Sequence, residues 1–417
     1  MSSAFSIALS SLKAQSDAIN TTGNNLANLN TVGFKTSNVD FRDLVASTLG
    51  WSSSAGMGVS RPTTQRSFSQ GTITTSDSPW AAAIQGNGFF MLKSAAGQSL
   101  YTRNGNFTVS SDGVLSTLSG EKVQGWMASP SGLNTGVAPT DIAIPAGQTL
   151  AAQATSKHSF TANLNAAGTA AGSTDHLNVS VPVVDSLGNS HTLTVALTKG
   201  ATANTWNYDV TIPGEDLAGG TAGTQTSILS APGTLTFNTD GTLSTSSGAP
   251  VTLSISGLAD GASNMSMNWS LLNSDGTSSI TQYAQTSAFS GVTQDGMTAA
   301  TLNKVAVSDN GQITASFSNG QQKILGQLAL ATFQNLDSVE AVGNNNYAAT
   351  GASSTASVGT AMSADRGEIV GGALENSNVD IATQFTNLIT YQRGYQASSR
   401  VITTEDNMLQ DLLQVIR

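Results

Sequence analysis

The residues best suited to catalysis or metal binding are three histidines, His158, His176 and His191. A zinc site or a catalytic triad needs a second group held at a fixed distance from the histidine. No two of these histidines stand three or four residues apart, so their spacing favours surface or strand histidines over metal ligands or catalytic bases. The chain has no cysteine, which excludes disulfides and thiolate metal sites.

Two further patterns could bind a small ligand. Residues 86–88 read Gly-Asn-Gly, but a phosphate loop would add a third glycine and a following helix, so a tight turn is favoured. Four Asp-Gly pairs begin at Asp112, Asp240, Asp275 and Asp295, and none is followed by the alternating carboxylates and final Glu of a calcium loop. These pairs predict hairpin turns. No cluster supplies a nucleophile, a base and an orienting group, so we expect no enzyme, no cofactor and no metal site.

Composition restricts the partners that the chain could bind. The 417 residues carry a net charge of −10 and contain no cluster of Lys and Arg, which argues against binding nucleic acid or an anionic membrane surface. No apolar run approaches the length of a membrane span. The first charged residue is Lys13 and polar residues interrupt the apolar positions around it, which is not typical of a secretory signal peptide.

Both ends of the chain carry apolar residues at the spacing of one helix face. We predict a first helix over residues 3–29 and a second from residue 381 to the end, preceded by Ser377 and Asp380 as in a capping box. All nine prolines lie between Pro62 and Pro250, so neither helix is interrupted. The two predicted stripes consist of Phe5, Leu9, Leu12, Ile19 and Leu26, and of Ile381, Phe385, Leu388, Tyr395, Ile402, Leu409, Leu413 and Ile416.

Each stripe needs a partner, and two interpretations are open. The helices could pair with each other inside one chain, as in an ordinary antiparallel bundle. They could also pack against the same helices of neighbouring molecules. A second stripe on the C-terminal helix, at Val401, Met408, Leu412 and Val415, favours more than one partner, because a single pair covers only one side of each helix.

Between the ends, apolar residues alternate as in β-strands, and Asp185 to Asn189 predict a hairpin turn. The predicted fold class is α+β multidomain, with paired N- and C-terminal amphipathic helices plus two mainly-β domains nested along the chain. One short helix is expected near residues 41–49. The expected parts are a terminal helical core (1–30 and 377–417), connecting segments (31–79 and 362–376), an inner β domain (80–149 and 280–361) and an outer β domain inserted at 150–279.

Several motifs resemble those of the bacterial flagellar rod and hook proteins. The stretch Asn-Leu-Asn-Thr-Val-Gly-Phe-Lys at 28–35 resembles their N-terminal signature, and residues 79–83, Pro-Trp-Ala-Ala-Ala, depart from the family pattern. The insertion resembles the outer domain of hook proteins through Asp-Ser-x-Gly-Asn-x-His at 185–191 and Asn-x-Trp-x-Tyr at 204–208, whereas rod proteins generally lack this domain. Matching positions at the two ends are Asn28, Thr31, Gly33, Phe34, Lys35, Asn378, Asp380, Gln392, Arg393 and Tyr395.

The resemblance implies a structural protein that polymerises into the curved tube of the flagellar hook, a universal joint between motor and filament. The terminal helices would line an export channel, and the outer domain would make contacts that slide as the tube bends. Implied partners are further copies of the chain, the rod, hook cap and hook–filament junction proteins, and the type III export apparatus. The implied location is extracellular, in the flagellum, reached without a cleaved signal peptide. We further expect 31–79 and 362–376 to be flexible connectors.

Three other functions remain open on the sequence alone. The nearest alternative is a distal rod protein, a rigid shaft of the same family, against which the insertion at 150–279 argues. A Ser/Thr-rich surface adhesin would function without the terminal helices. An enzyme fits least well, for want of a catalytic cluster.

Overall fold

The computed structural model describes residues 3–45, 56–129, 132–145, 147, 149–168, 175–244, 250–273, 275–350 and 355–415. The chain forms two compact units. The first unit comprises residues 1–146, 304–316 and 322–417, and the second comprises 147–303 and 317–321.

The elements follow in chain order. Up to residue 146 they are α1 (Ser3–Ala27), β1 (Ser37–Asp40), β2 (Asp43–Val45), β3 (Gly56–Val59), β4 (Thr63–Arg66), β5 (Ile73–Thr75), β6 (Ala82–Gln85), β7 (Phe89–Lys93), β8 (Ser99–Thr102), β9 (Phe107–Val109), β10 (Leu115–Thr117), β11 (Lys122–Ser129), β12 (Gly132–Leu133) and β13 (Thr140–Asp141). The next strands are β14 (Thr149–Leu150), β15 (Lys157–Asn165), β16 (His176–Val184), β17 (Ser190–Lys199), β18 (Thr205–Pro213), β19 (Gln225–Ser227), β20 (Gly233–Thr236), β21 (Val251–Ile255), β22 (Met265–Trp269), β23 (Ile280–Tyr283), β24 (Ala288–Gln294) and β25 (Ala300–Val307). The last are β26 (Gln312–Phe317), β27 (Gln322–Leu328), β28 (Leu330–Thr332), β29 (Val339–Gly343), β30 (Asn346–Ala349), β31 (Ser357–Gly359), β32 (Glu368–Gly371), β33 (Ala373–Glu375) and α2 (Ile381–Val415).

Both predicted terminal helices form. The α1 helix ends at Ala27, where the Asn28 side chain donates to the Asn24 carbonyl and accepts from the Thr31 hydroxyl. The α2 helix begins at Ile381 because Asp380 is its N-cap: Oδ1 of Asp380 accepts the Thr383 N–H at 2.8 Å.

In the first unit, an antiparallel sheet places β7 at its centre, between β8 and β11, with β28 also paired to it. A cluster of aromatic and small side chains covers one part of this sheet: Phe89, Tyr101, Ala331, Phe333 and Tyr347. Their rings meet edge to face, as at Phe89 and Phe333, whose centroids lie 5.8 Å apart.

The segments predicted as connectors contain paired strands. In the first connecting segment β1 pairs with β4, and β5 pairs with β33 of the second segment. The short helix expected near 41–49 is wrong in its described part, because β2 is a strand that pairs with β3; residues 46–55 lie outside the described residues. This hairpin packs on α1, where a Cβ on Gly58 would lie 2.3 Å from Oγ of Ser10.

The second unit is a β-sandwich. One five-stranded sheet contains β16 to β20 and the other β15 and β21 to β24. Inward side chains of both sheets share one core, in which Trp206 and Trp269 are fully buried. The predicted hairpin between β16 and β17 forms, with buried Val179, Val181 and Val183 alternating with outward polar positions.

Two expectations fail in this region. Residues 280–303 were expected in the inner domain, but β23 and β24 pair with β15 and so belong to the second unit. The first strand of an inserted domain can pair with strands that lie far along the chain, and local residue patterns do not predict such pairing. Asp295 does not form a hairpin turn: its Oδ1 accepts the N–H groups of Ser156 and Lys157, both at 2.8 Å.

Candidate assembly surface on the terminal helices

The contact between α1 and α2 is made by small and polar side chains. Ser11 Oγ lies 2.9 Å from Ser398 Oγ, and the Asn25 side chain donates to Gln384 Oε1 at 3.0 Å. Residues 11, 15, 18, 22 and 25 of α1 follow a 4-3-4-3 spacing, and Ala18 on this face is fully buried. The hydrogen bonds to α2 and the fully buried position on this face of α1 are therefore those of small or polar side chains.

Gly394 allows the two helices to approach closely. A Cβ added at this position would lie 2.8 Å from Cδ of Gln15, so even alanine would require the Gln15 side chain to move. A glycine inside a helix costs about 1 kcal/mol relative to alanine, and this close contact is a physical reason for it.

The predicted apolar stripes are only partly covered within one chain. On α2, Ile381, Phe385, Tyr395 and Leu409 are 38–52% exposed, and Leu9 on α1 is 38% exposed. Phe5, Leu12, Ile19, Leu26, Leu388 and Ile402 are half-buried. Ile416 lies outside the described residues, and of Leu413 only the helical backbone is described.

Further large side chains extend the uncovered surface. Ile389, Val401 and Met408 on α2 are 46–61% exposed. We call the exposed large side chains on both predicted stripes of α2, together with Ile389, the α2 apolar surface; in the described part of the chain they are Ile381, Phe385, Ile389, Tyr395, Val401, Met408 and Leu409. Its role in assembly stays a prediction.

A buried ion triad, Lys35–Glu375–Arg103, joins the segment that follows α1 to the segment that precedes α2. Nζ of Lys35 lies 2.7 Å from Oε1 of Glu375, and Nη1 of Arg103 lies 3.4 Å from Oε2. All three residues are buried. Lys35 Nζ also donates to the Ser69 carbonyl and Arg103 Nη2 to the Gly86 carbonyl, so both cations have further acceptors.

Burial dominates the electrostatics of both cations. It lowers the pKa of Lys35 below its ordinary value, although the hydrogen bond and charge of Glu375 oppose this shift. Burial likewise lowers the pKa of Arg103 against the attraction of Glu375. A single carboxylate thus neutralises only part of the charge of two buried cations, and losing it would leave both without a counter-ion.

Several residues of the N- and C-terminal motifs surround this triad. Gly33 has φ +71°, donates its N–H to the Glu375 carbonyl, and has no room for a Cβ, which would lie 2.7 Å from the Arg103 carbonyl carbon. Asn378 accepts the Thr36 N–H through Oδ1 at 2.8 Å, and its Nδ2 lies 3.0 Å from the Ser67 carbonyl. These contacts join the first connecting segment to Glu375 of the second segment and to Asn378 before α2, and the flexibility of the two segments stays a prediction.

The remaining motif positions have different surroundings. Phe34, which precedes Lys35 of the triad in the sequence, is buried. Gln392, Arg393 and Tyr395 are exposed on α2. Glu375 pairs with both cations of the triad but was not among the predicted site residues. In the sequence it stands in the stretch 371–380 that leads into the predicted C-terminal helix.

The three histidines occupy three different environments. His176 is exposed at the start of β16, and His158 is buried in β15 against Trp269. His191 is buried on β17 among Asp185, Asp216 and Asp260. The spacing of the histidines did not reveal this cluster, because the three aspartates around His191 follow three different strands, β16, β18 and β21.

Neither helix in the described part of the chain is long and apolar enough to cross a membrane.

Four family profiles match successive parts of the chain. They are the flagella basal body rod protein (residues 5–35), the flagellar hook protein FlgE/F/G D1 domain (83–163), the flagellar basal body protein FlaE D2 domain (154–297) and the flagellar basal body rod FlgEFG protein C-terminal region (370–415).

Relatives match over nearly the whole chain. The flagellar hook protein FlgE of Escherichia coli K12 is 33% identical over 99% of this chain and 100% of its own length. FlgE of Borreliella burgdorferi is 31% identical over 98% of both chains. The crystal structure of Helicobacter pylori FlgE2 covers 66% of this chain and 93% of its own, with a TM-score of 0.50 and 14% identity, and supports the fold. The chain belongs to the flagellar hook protein family.

Proposed function

We propose that copies of this chain form the wall of the flagellar hook by packing their α1 and α2 helices against those of neighbouring copies. The α2 apolar surface is the observation that carries this proposal. Inside one chain Ser11, Gln15 and Asn25 contact α2, and several large apolar side chains of α2 stay 38–61% exposed, so that they are available to another partner.

The energy available from such packing is large. Burying one Leu, Ile or Phe side chain stabilises by about 1.5–3 kcal/mol, and each subunit carries several half-exposed ones on α2. When one patch meets a different patch on the next copy, the contacts repeat without closing into a dimer and generate a helical tube. The terminal helices would then line the channel of that tube.

A hook is favoured over a rod by the second unit. The relatives matched along nearly the full chain, including residues 147–303, are hook proteins. The second unit presents polar strand positions such as Asn178 and Ser180 outward. Weak polar contacts between neighbouring copies can be exchanged at small cost as a tube bends, which suits a universal joint transmitting torque.

The remaining partners and the route follow from this role. Rod, hook cap and hook–filament junction proteins would contact the ends of the tube, and the type III export apparatus would deliver the subunits. The protein would act in the flagellum, outside the cell, without cleavage of a signal peptide.

The test is a pair of substitutions on α2. Phe385→Asn removes one large residue of the α2 apolar surface, and Thr390→Asn changes an exposed polar residue of the same helix. We expect purified Phe385→Asn to keep the helical content of the wild type but to form far less sedimentable tube, measured by ultracentrifugation and electron microscopy. The Thr390→Asn chain should polymerise normally. If the double variant Phe385→Asn/Ile389→Asn still formed normal tubes, the proposal would be refuted.

A further inference from the structure

Three side chains that bind divalent cations converge in the second unit. Asp185 follows β16, His191 lies on β17 and Asp260 follows β21. One ligand atom from each lies within 4.8 Å of the other two. Asp185 is fully buried and His191 is 6% exposed, so the group is built into the fold.

The two distances from His191 to the carboxylate oxygens match the size of a coordinated cation. Nε2 of His191 lies 3.2 Å from Oδ2 of Asp185 and 3.6 Å from Oδ2 of Asp260. Zinc bonds nitrogen and oxygen at about 2.0–2.1 Å, so ligand atoms on a tetrahedral ion lie about 3.3–3.4 Å apart. A cation between the three atoms would need only small side-chain movements and would keep a fourth position for water.

Surrounding groups hold the ligands in this orientation. Oδ1 of Asp185 accepts the backbone N–H groups of residues 187, 188 and 189, which leaves Oδ2 facing His191. Asn189 donates to Oδ2 of Asp260 at 2.8 Å. Oδ2 of Asp216 lies 3.3 Å from Nδ1 of His191, on the side of the ring opposite Asp185. A carboxylate at the outer nitrogen is the usual neighbour of a metal-binding histidine, because it keeps the other nitrogen free to bind the ion.

The charge of the cluster also calls for a cation. Three carboxylates surround one imidazole, and among the described residues none of them forms an ion pair with a lysine or arginine. A buried carboxylate is costly without a counter-charge. A proton on His191 would supply one positive charge, whereas a divalent ion supplies two and also satisfies Nε2 as a ligand.

We propose that His191, Asp185 and Asp260 bind one divalent cation of the zinc class, with Asp216 orienting His191. Asp185 and His191 belong to the sheet of β16 and β17, and Asp260 follows a strand of the other sheet. The ion would therefore join the two sheets of the sandwich at one end. Its role is structural, in keeping with the polymer-forming function.

The experiment uses the untagged full-length chain after removal of metal with a chelator. A calorimetric titration with Zn²⁺ should saturate at one equivalent of Zn²⁺ per chain. Binding of Co²⁺ should give the visible absorption spectrum of a tetrahedral site with nitrogen and oxygen ligands. Asp260→Asn and His191→Gln should abolish both signals. Asp216→Asn should weaken Zn²⁺ binding about 10–100-fold, as expected when the partner of a ligating histidine is removed.

Two controls separate the site from general histidine binding and from misfolding. His176→Gln removes an exposed histidine of the same strand pair and should bind Zn²⁺ as the wild type does. Asp260 lies in an exposed loop, so Asp260→Asn should keep the metal-free thermal midpoint of the wild type. Absence of saturable binding in the wild type, or unchanged binding in Asp260→Asn, would overturn the metal site without affecting the tube-forming proposal.

Discussion

The terminal helices and the second unit bury opposite kinds of side chain. The second unit encloses Trp206, Trp269 and a continuous set of Val, Leu and Ile residues, all of them buried. The α1–α2 contact encloses Ala18, Ser11 and Gln15, while Phe385 and Leu409 remain about half exposed. The second unit thus completes its core within one chain, whereas α2 keeps large apolar side chains exposed in one chain, as the proposed packing against other copies requires.

The largest expected effect tests how the helices are anchored. Glu375→Gln removes the only carboxylate that pairs with Lys35 and Arg103 among the described residues. Leaving buried cations unpaired typically costs about 3–5 kcal/mol. We expect hydrogen exchange in peptides covering residues 33–36 and 373–376 to accelerate accordingly, and the midpoint of denaturant unfolding of the first unit to fall.

The matched control is an exposed ion pair in the same unit. Lys122 Nζ lies 2.9 Å from Asp141 Oδ2, with side chains 49% and 31% exposed. Exposed pairs contribute little, so Lys122→Gln should leave the unfolding midpoint within error of the wild type. If Glu375→Gln and Lys122→Gln shifted the unfolding midpoint equally, the buried triad would not stabilise the first unit more than an exposed ion pair does.

The location of the triad shows how much the sequence could predict. Periodicity identified α1, α2 and the strands β16 to β18, because each follows from local spacing of apolar residues. It could not identify the face on which the helices meet, because Ser11, Gln15 and Asn25 are polar and give no hydrophobic signal. Glu375 and the Asp185–His191–Asp260 cluster were missed for a related reason: Glu375 is distant in the chain from Lys35 and Arg103, Asp260 is distant from His191, and only the fold brings these residues together.

The next effect compares the two regions directly. Leu197→Ala empties a fully buried position in the second unit and should cost about 2–5 kcal/mol, seen as faster hydrogen exchange in β16 to β18. Phe385→Ala removes a larger side chain from α2 but should cost the monomer much less stability than Leu197→Ala, because about half of the Phe385 side chain is already exposed to solvent.

In assembly the order should reverse. Tubes of Phe385→Ala should form poorly, while Leu197→Ala chains should polymerise near the wild-type level at temperatures where the second unit stays folded. If Phe385→Ala destabilised the isolated monomer as much as Leu197→Ala, the helices would have to complete their packing inside one chain.

The smallest effect concerns a weak point in the core of the second unit. His158 stacks on Trp269 with ring centroids 6.3 Å apart, and neither ring nitrogen has a hydrogen-bond partner among the described residues. Burial lowers the pKa of His158 to about 4, although the charge of Asp295 opposes this shift; Lys157 is the adjacent cation in sequence. The folded state therefore holds the imidazole neutral, whereas the unfolded chain takes up a proton near pH 6.5.

Stability should consequently be lost as the pH falls from about 6.5 towards 4, because the unfolded state binds the extra proton. Between pH 7 and pH 5 the loss is about 2 kcal/mol. His158→Phe, which keeps a ring against Trp269 but cannot be protonated, should lose much less stability over this range, while His176→Gln should behave as the wild type. The measurement is hydrogen exchange of β15 and β22 peptides at the two pH values, corrected for intrinsic exchange. If His158→Phe kept the pH dependence of the wild type, the titrating group would be a residue other than His158.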